Sequence, residues 1–143
     1  MVANVLIQSV WFGISSIMAI LARKRFNAND WQTLMITAAP PTLLTVSIFW
    51  NALLHRTSIR RYLAINWACT MLPLTAAAFA QSFSHLLVCF VCAAIGAAGW
   101  SPVAGDLLGR FYGDHLRGRA YASINSAMFV GMMVASYAFG RAL

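Results

Sequence analysis

The chain has 143 residues, of which 61% are hydrophobic and 9% charged, with a mean hydropathy of +0.72. A soluble domain carries about 25% charged residues, so a water-facing surface over the whole fold is excluded. The net charge of +7 comes from short basic clusters between apolar runs and forms no continuous stripe, which argues against nucleic acid as a partner.

From Met1 to Ala22 there is no Lys, Arg, Asp or Glu, a length that crosses a hydrocarbon core of roughly 30 Å as a helix. The run is too long for a signal-peptide core and has neither a basic leader nor an obvious cleavage site, so it reads as a retained span. Asn4, Gln8, Trp11 and Ser15 are spaced by four, three and four and share one narrow helical face. That stripe either packs on neighbouring helices through side-chain hydrogen bonds or lines a water-filled path. Arg23-Lys24-Arg25 closes the span, and Asp30 is the expected N-cap of the next. A second span over 31–54 contains Pro40-Pro41, which predicts a bent helix or, alternatively, two half-helices.

After the polar break His55-Arg-Thr-Ser-Ile-Arg-Arg61, no Asp, Glu, Lys or Arg occurs from Tyr62 to Gly105. Two spans fit there, with the turn at Gln81-Ser-Phe-Ser-His85. In the third span Asn66, Thr70, Pro73 and Ala77 share a face that is expected to be buried. The fourth span holds Ala93-Ala-Ile-Gly-Ala-Ala-Gly99, small enough for a neighbouring helix to approach its backbone. The polar island Gly109-Arg-Phe-Tyr-Gly-Asp-His-Leu-Arg-Gly-Arg119 leads to a fifth span. The prediction is an all-α polytopic membrane helix bundle of one domain, residues 1–143, with transmembrane helices over about 2–22, 31–54, 62–80, 85–105 and 120–140.

If every span crosses once, the loops at 55–61 and 109–119 share one side and hold six basic residues, against Arg23, Lys24, Arg25 and Arg141 on the other. That bias places the N-terminus and the two larger basic loops in the cytoplasm, in a plasma or inner membrane. Asp106 and Arg110 are spaced for a helical ion pair. Cys89 and Cys92 lie inside an apolar span and Cys69 is isolated, so all three are expected as buried free thiols. His55, His85 and His115 fall in different loops. No metal site, cofactor or enzyme active site is read from these residues.

The short loop Asn51-Ala-Leu-Leu-His-Arg-Thr-Ser-Ile-Arg-Arg61 resembles the Gly-x-Leu-Ala-Asp-Arg-x-Gly-Arg-Arg loop between helices two and three of the major facilitator superfamily of secondary transporters. Leu53, Arg56, Arg60 and Arg61 fit that pattern, whereas Asn51, His55 and Ser58 stand in place of its glycines and aspartate. Trp100-Ser-Pro-Val-Ala-Gly-Asp106, Phe111-Tyr112 and Leu116-Arg-Gly-Arg-Ala120 are similar to the end of helix four and the start of helix five in that family. With Asn29-Asp-Trp-Gln32 the likeness extends along the chain, over five of the usual twelve helices. The family's helix-four Arg motif and helix-five glycine-proline signature have no counterpart, and no carboxylate lies deep in a span to serve as a proton relay.

The resemblance implies solute transport by alternating access around a midplane site. On that basis the substrate-cavity candidates are Asn4, Gln8, Trp11 and Ser15 from helix one, with Cys89, Cys92 and Trp100 from helix four. The cytoplasmic gating-loop candidates are Arg56, Arg60, Arg61, Asp106, Arg110, Arg117 and Arg119. Expected partners are membrane lipid, a small-molecule solute, and a missing C-terminal half, a second copy or another membrane protein. The alternative is a non-transporting membrane scaffold or assembly subunit.

Overall fold

A computed structural model describes residues 2–142, with the side chains of residues 2–7, 111, 114, 139 and 142 outside the description. Its elements are α1 (Val2–Phe26), α2 (Asp30–Leu43), a 3-10 turn (Leu44–Val46), α3 (Ser47–Arg56), α4 (Ile59–Ala78), α5 (Phe83–Ala97), α6 (Trp100–Phe111) and α7 (Asp114–Ala142). Among the described residues there is no strand. The α2–α3 stretch is helical throughout, and α5 and α6 are separated only by a turn at Ala98 and Gly99, so the described residues form five helical rods. Two of them, Asp30–Arg56 and Phe83–Arg110, are long and apolar enough to cross a membrane.

Helix ends differ from the sequence reading where capping chemistry decides them. α1 continues through Arg23, Lys24 and Arg25, because cations in a last turn interact favourably with the helix dipole. It ends where Asn27 takes a left-handed conformation, φ 49°, which Asn tolerates better than most residues. The N-cap of α2 is Asn29 and not Asp30. Asn29 Oδ1 accepts from the Gln32 N–H at 2.8 Å, and Gln32 Oε1 accepts from the Asn29 N–H at 2.9 Å, a reciprocal box that Asp30 is one residue too late to form. Asp30 instead pairs with Arg23, whose Nε also donates to Thr33 Oγ1 at 3.2 Å. Pro40 and Pro41 lie inside α2, and the helix tightens into its 3-10 turn just after them. The turn between α4 and α5 spans 79–82, earlier than expected, because Ser82 caps α5 by accepting from the His85 N–H.

Contacts divide the chain into two compact units, Ala22–Gly105 on one hand and Met1–Leu21 with Asp106–Leu143 on the other. In the first, α4 and α5 run antiparallel. Tyr62 donates to the Gly99 carbonyl at 2.7 Å and Asn66 to the Gly96 carbonyl at 2.6 Å. Asn66, Thr70 and Ala77 of the expected face are buried, Pro73 of that face is half-buried, and Tyr62 is buried as well. A Cβ placed on Gly96 would meet the Cys69 carbonyl carbon at 2.6 Å, so the small run on α5 allows near backbone-to-backbone contact. Trp50 of α3 packs edge-on against Tyr62, ring centroids 5.6 Å apart, and donates Nε1 to the Ile95 carbonyl at 2.7 Å.

In the second unit α1 and α7 run parallel. Ser9 Oγ reaches the Met128 carbonyl at 3.3 Å, and the Ser16 and Ser136 hydroxyls meet at 2.9 Å. Between them Gly13 faces Ala135, and Gly131 faces Ser9. Ser9 and Gly13 on one helix, Gly131 and Ala135 on the other, are each four apart, the small-residue spacing that brings two helices close.

Gly96 and Gly105 separate two effects of the same substitution. Ala is a better helix former than Gly by about 0.8–1 kcal/mol, and nothing lies within 4 Å of a Cβ at Gly105. Gly105→Ala is therefore neutral or stabilising, whereas Gly96→Ala is a net loss of roughly 1–2 kcal/mol because overpacking against backbone outweighs the propensity gain. Thermal unfolding of both variants in mild detergent measures the difference, and equal behaviour would contradict the close approach.

Candidate functional site

The polar stripe of α1 is partly closed. Gln8 and Trp11 are each only 3% exposed, Ser15 is half-buried and turns its hydroxyl back to the Trp11 carbonyl at 2.8 Å, and the Asn4 side chain lies outside the described residues. Buried side chains at these positions fit a packed face better than an open path. The neighbouring Ser9, Gly13 and Ser16 make the contact with α7, a seam that the stripe did not reveal.

Cys89, Cys92 and Trp100 do not form one uniform face. Cys89 is buried, Cys92 is exposed, and Trp100 is half-buried at the start of α6. Cys92 lies only about 60° around the helix from Cys89, so the edge of the packed face of α5 falls between the two thiols. Cys69 is exposed as well, so Cys89 alone is a buried thiol, although all three are free. The nearby buried polar groups are already used: Tyr62 and Asn66 bond to α5 carbonyls or the turn after it, and Thr70 bonds to the Asn66 carbonyl at 2.8 Å.

The loop charges fall into two kinds. Arg110 Nε lies 2.9 Å from Asp106 Oδ2, the helical pair that the spacing predicts. This oxygen is buried yet makes no directed hydrogen bond, so the contact is an ion pair set off the N–H axis. Arg117 wraps onto backbone, donating to the Tyr112 and Gly109 carbonyls, both at 3.2 Å. Arg56, Arg60, Arg61 and Arg119 project as exposed side chains.

A groove of about 290 Å³ lies between α1 and α7, lined by Phe12, Tyr121, Asn125, Met128, Phe129 and Met132. Its α7 residues are spaced by four, three, one and three, one face of a helix, and that spacing was the available signal for it. Aromatic rings and thioethers offer dispersion and adaptable packing, with the Asn125 amide as a polar handle. Such a lining is complementary to apolar surface and supplies no acid–base pair. Among the described residues no three His, Cys, Asp or Glu side chains are placed to hold a metal ion.

Comparison with family models, curated proteins and solved structures finds no match to this chain.

The interhelical bonds can be weighed against an exposed hydroxyl that serves only its own helix. Tyr62→Phe and Asn66→Leu each cost about 0.6–2 kcal/mol, since the helix pair loses an interhelical hydrogen bond. Thr75→Val, at a hydroxyl that bonds to the Leu72 carbonyl of its own helix, changes stability by less than about 0.5 kcal/mol. Denaturation in detergent reads all three, and a neutral Asn66→Leu would remove the bond to Gly96 as a determinant of the α4–α5 pair.

Proposed function

We propose that the chain is an integral membrane protein that contributes helices to a solute transporter of the major-facilitator type, operating by alternating access. The observation that carries the membrane part is the outward side of the helices. Ile48 and Phe49 of α3, Val88 of α5, and Phe129 and Met133 of α7 are all more than half exposed. Each such side chain left in water forgoes about 1.5–3 kcal/mol of burial, whereas in a bilayer the same surface faces acyl chains. The hydroxyls agree with this reading. Thr33, Thr37 and Thr42 bond to carbonyls of the preceding turn, so they need no water.

Helix direction supports alternating crossings. α4 and α5 run antiparallel and α1 and α7 run parallel, as alternating crossings require of the third and fourth and of the first and fifth spans. Transport itself rests on the likeness of the loops at 51–61 and 100–120 to the superfamily. In this reading Arg56 and Arg60 are cations of a cytoplasmic loop and Asp106 keeps its pair with Arg110, while Gln8, Trp11 and Ser15 of α1 and Cys89, Cys92 and Trp100 of the fourth span are the solute-path candidates that the resemblance implies. The burial of Gln8 and Trp11 and the internal use of the Tyr62 and Asn66 donors favour the second reading, a non-transporting scaffold held together by these same contacts.

Alkaline carbonate leaves the protein in the membrane pellet if the first part of the proposal is right; release into the supernatant contradicts it. Cys92 then separates the two functions. A charged, membrane-impermeant thiol reagent applied from both sides modifies Cys92 if that face borders water in one conformation. Protection of Cys92 until the protein is denatured takes α5 out of the solute path and leaves the scaffold.

A further inference from the structure

The geometry points to a docking surface for anionic phospholipid at the hairpin between α3 and α4, with phosphate headgroups held by Arg56 and Arg60 and acyl chains lying along Phe49 and Trp67. It rests on the membrane reading above and names the partner of the 55–61 loop.

Arg23 pairs with Asp30, Arg110 with Asp106, and Arg117 with backbone carbonyls. In the hairpin, Arg56, Arg60 and Arg61 are exposed and make no hydrogen bond or ion pair to a described residue. His55 beside them is exposed too. Three uncommitted guanidinium groups within six residues repel one another and attract anions, and a guanidinium matches phosphate oxygens in bidentate geometry.

Position identifies the anion as a lipid. On α3, Phe49, Ala52 and Arg56 are spaced by three and four; on α4, Arg60, Ala64 and Trp67 are spaced by four and three. Each triplet occupies one helical face, and all six residues are exposed, Phe49 at 75% and Trp67 at 51%. Each helix therefore carries an outward stripe with a cation at the polar end, a small residue in the middle and an aromatic ring two turns, about 10 Å, deeper. A soluble anion would use the cations and leave the rings uncovered. A phospholipid fills both, its phosphate at the guanidinium and its chain over the small residue and the ring. Basic clusters at the cytoplasmic ends of spans are the usual seat of anionic lipids, each cation adding about a fivefold factor in affinity.

Trp67 reports on the site directly. The full chain is placed in mixed micelles, and quenching of tryptophan fluorescence is titrated with phosphatidylglycerol or phosphatidylcholine brominated on the acyl chains. Brominated phosphatidylglycerol is expected to quench at several-fold lower mole fraction than brominated phosphatidylcholine, with a preference that weakens as salt rises. Trp67→Phe should remove most of the preferential component. Arg56→Gln/Arg60→Gln/Arg61→Gln should abolish the preference while helicity stays unchanged, and Lys24→Gln/Arg25→Gln should retain it. Equal quenching by the two lipids overturns the headgroup site and leaves the membrane reading intact. Loss of the preference in the Lys24 and Arg25 variant alone also overturns it. Absence of quenching by either lipid, with the protein released by carbonate, contradicts the membrane reading instead.

Discussion

The rest of unit Ala22–Gly105 depends on the approach of α5 to the backbone of α4 at Gly96. With no side chain there, the Cys69–Thr70 peptide comes close enough that even a methyl group would collide, and only at that separation does Asn66 reach the Gly96 carbonyl and Tyr62 the Gly99 carbonyl. Trp50 then closes the group, its ring on Tyr62 and its N–H on Ile95. In lipid there is no hydrophobic gain in bringing two apolar helices together, so van der Waals packing and interhelical hydrogen bonds must hold the pair. A bulkier residue at Gly96 would weaken both at once.

The α1–α7 seam obeys the same constraint with different residues. Ser9, Gly13 and Ser16 meet Met128, Gly131, Ala135 and Ser136 through small side chains and hydroxyls. Large apolar residues are pushed to the outside, as Phe129, Val130, Met133 and Val134 are on α7. This inverts the layout of a soluble bundle, where the largest side chains fill the interior.

Much of the architecture is legible in the sequence because charge is so scarce. Arg23–Arg25, His55–Arg61 and Gly109–Arg119 are polar islands in apolar runs, and three of the helix breaks fall within or just after them. The buried face of α4 follows from the spacing of Asn66, Thr70 and Ala77, and the close approach from the run around Gly96. What was missed depends on single-residue geometry or on pairing. Asn29 and Asp30 are both good capping residues, and only the reciprocal bond with Gln32 chooses between them. Cys92 is outside and Cys89 inside because of where neighbours happen to lie around an almost uniformly apolar helix, which hydropathy cannot resolve. The α1–α7 seam joins residues more than a hundred positions apart, and its small residues do not stand out in a chain rich in them. Of the candidate site, the Asp106–Arg110 pair was readable from spacing, whereas the commitment of Arg117 to backbone carbonyls was not.

The central claim is that the outward apolar faces of the helices meet lipid. Nitroxide labels introduced singly by Phe49→Cys, Val88→Cys and Met133→Cys, in a background without the native cysteines, test it in reconstituted bilayers through collision with oxygen and with a water-soluble nickel complex. High oxygen accessibility and low nickel accessibility are expected at all three positions, since oxygen partitions into hydrocarbon and the nickel complex does not. High nickel accessibility at these positions would place the same faces in water and contradict the account.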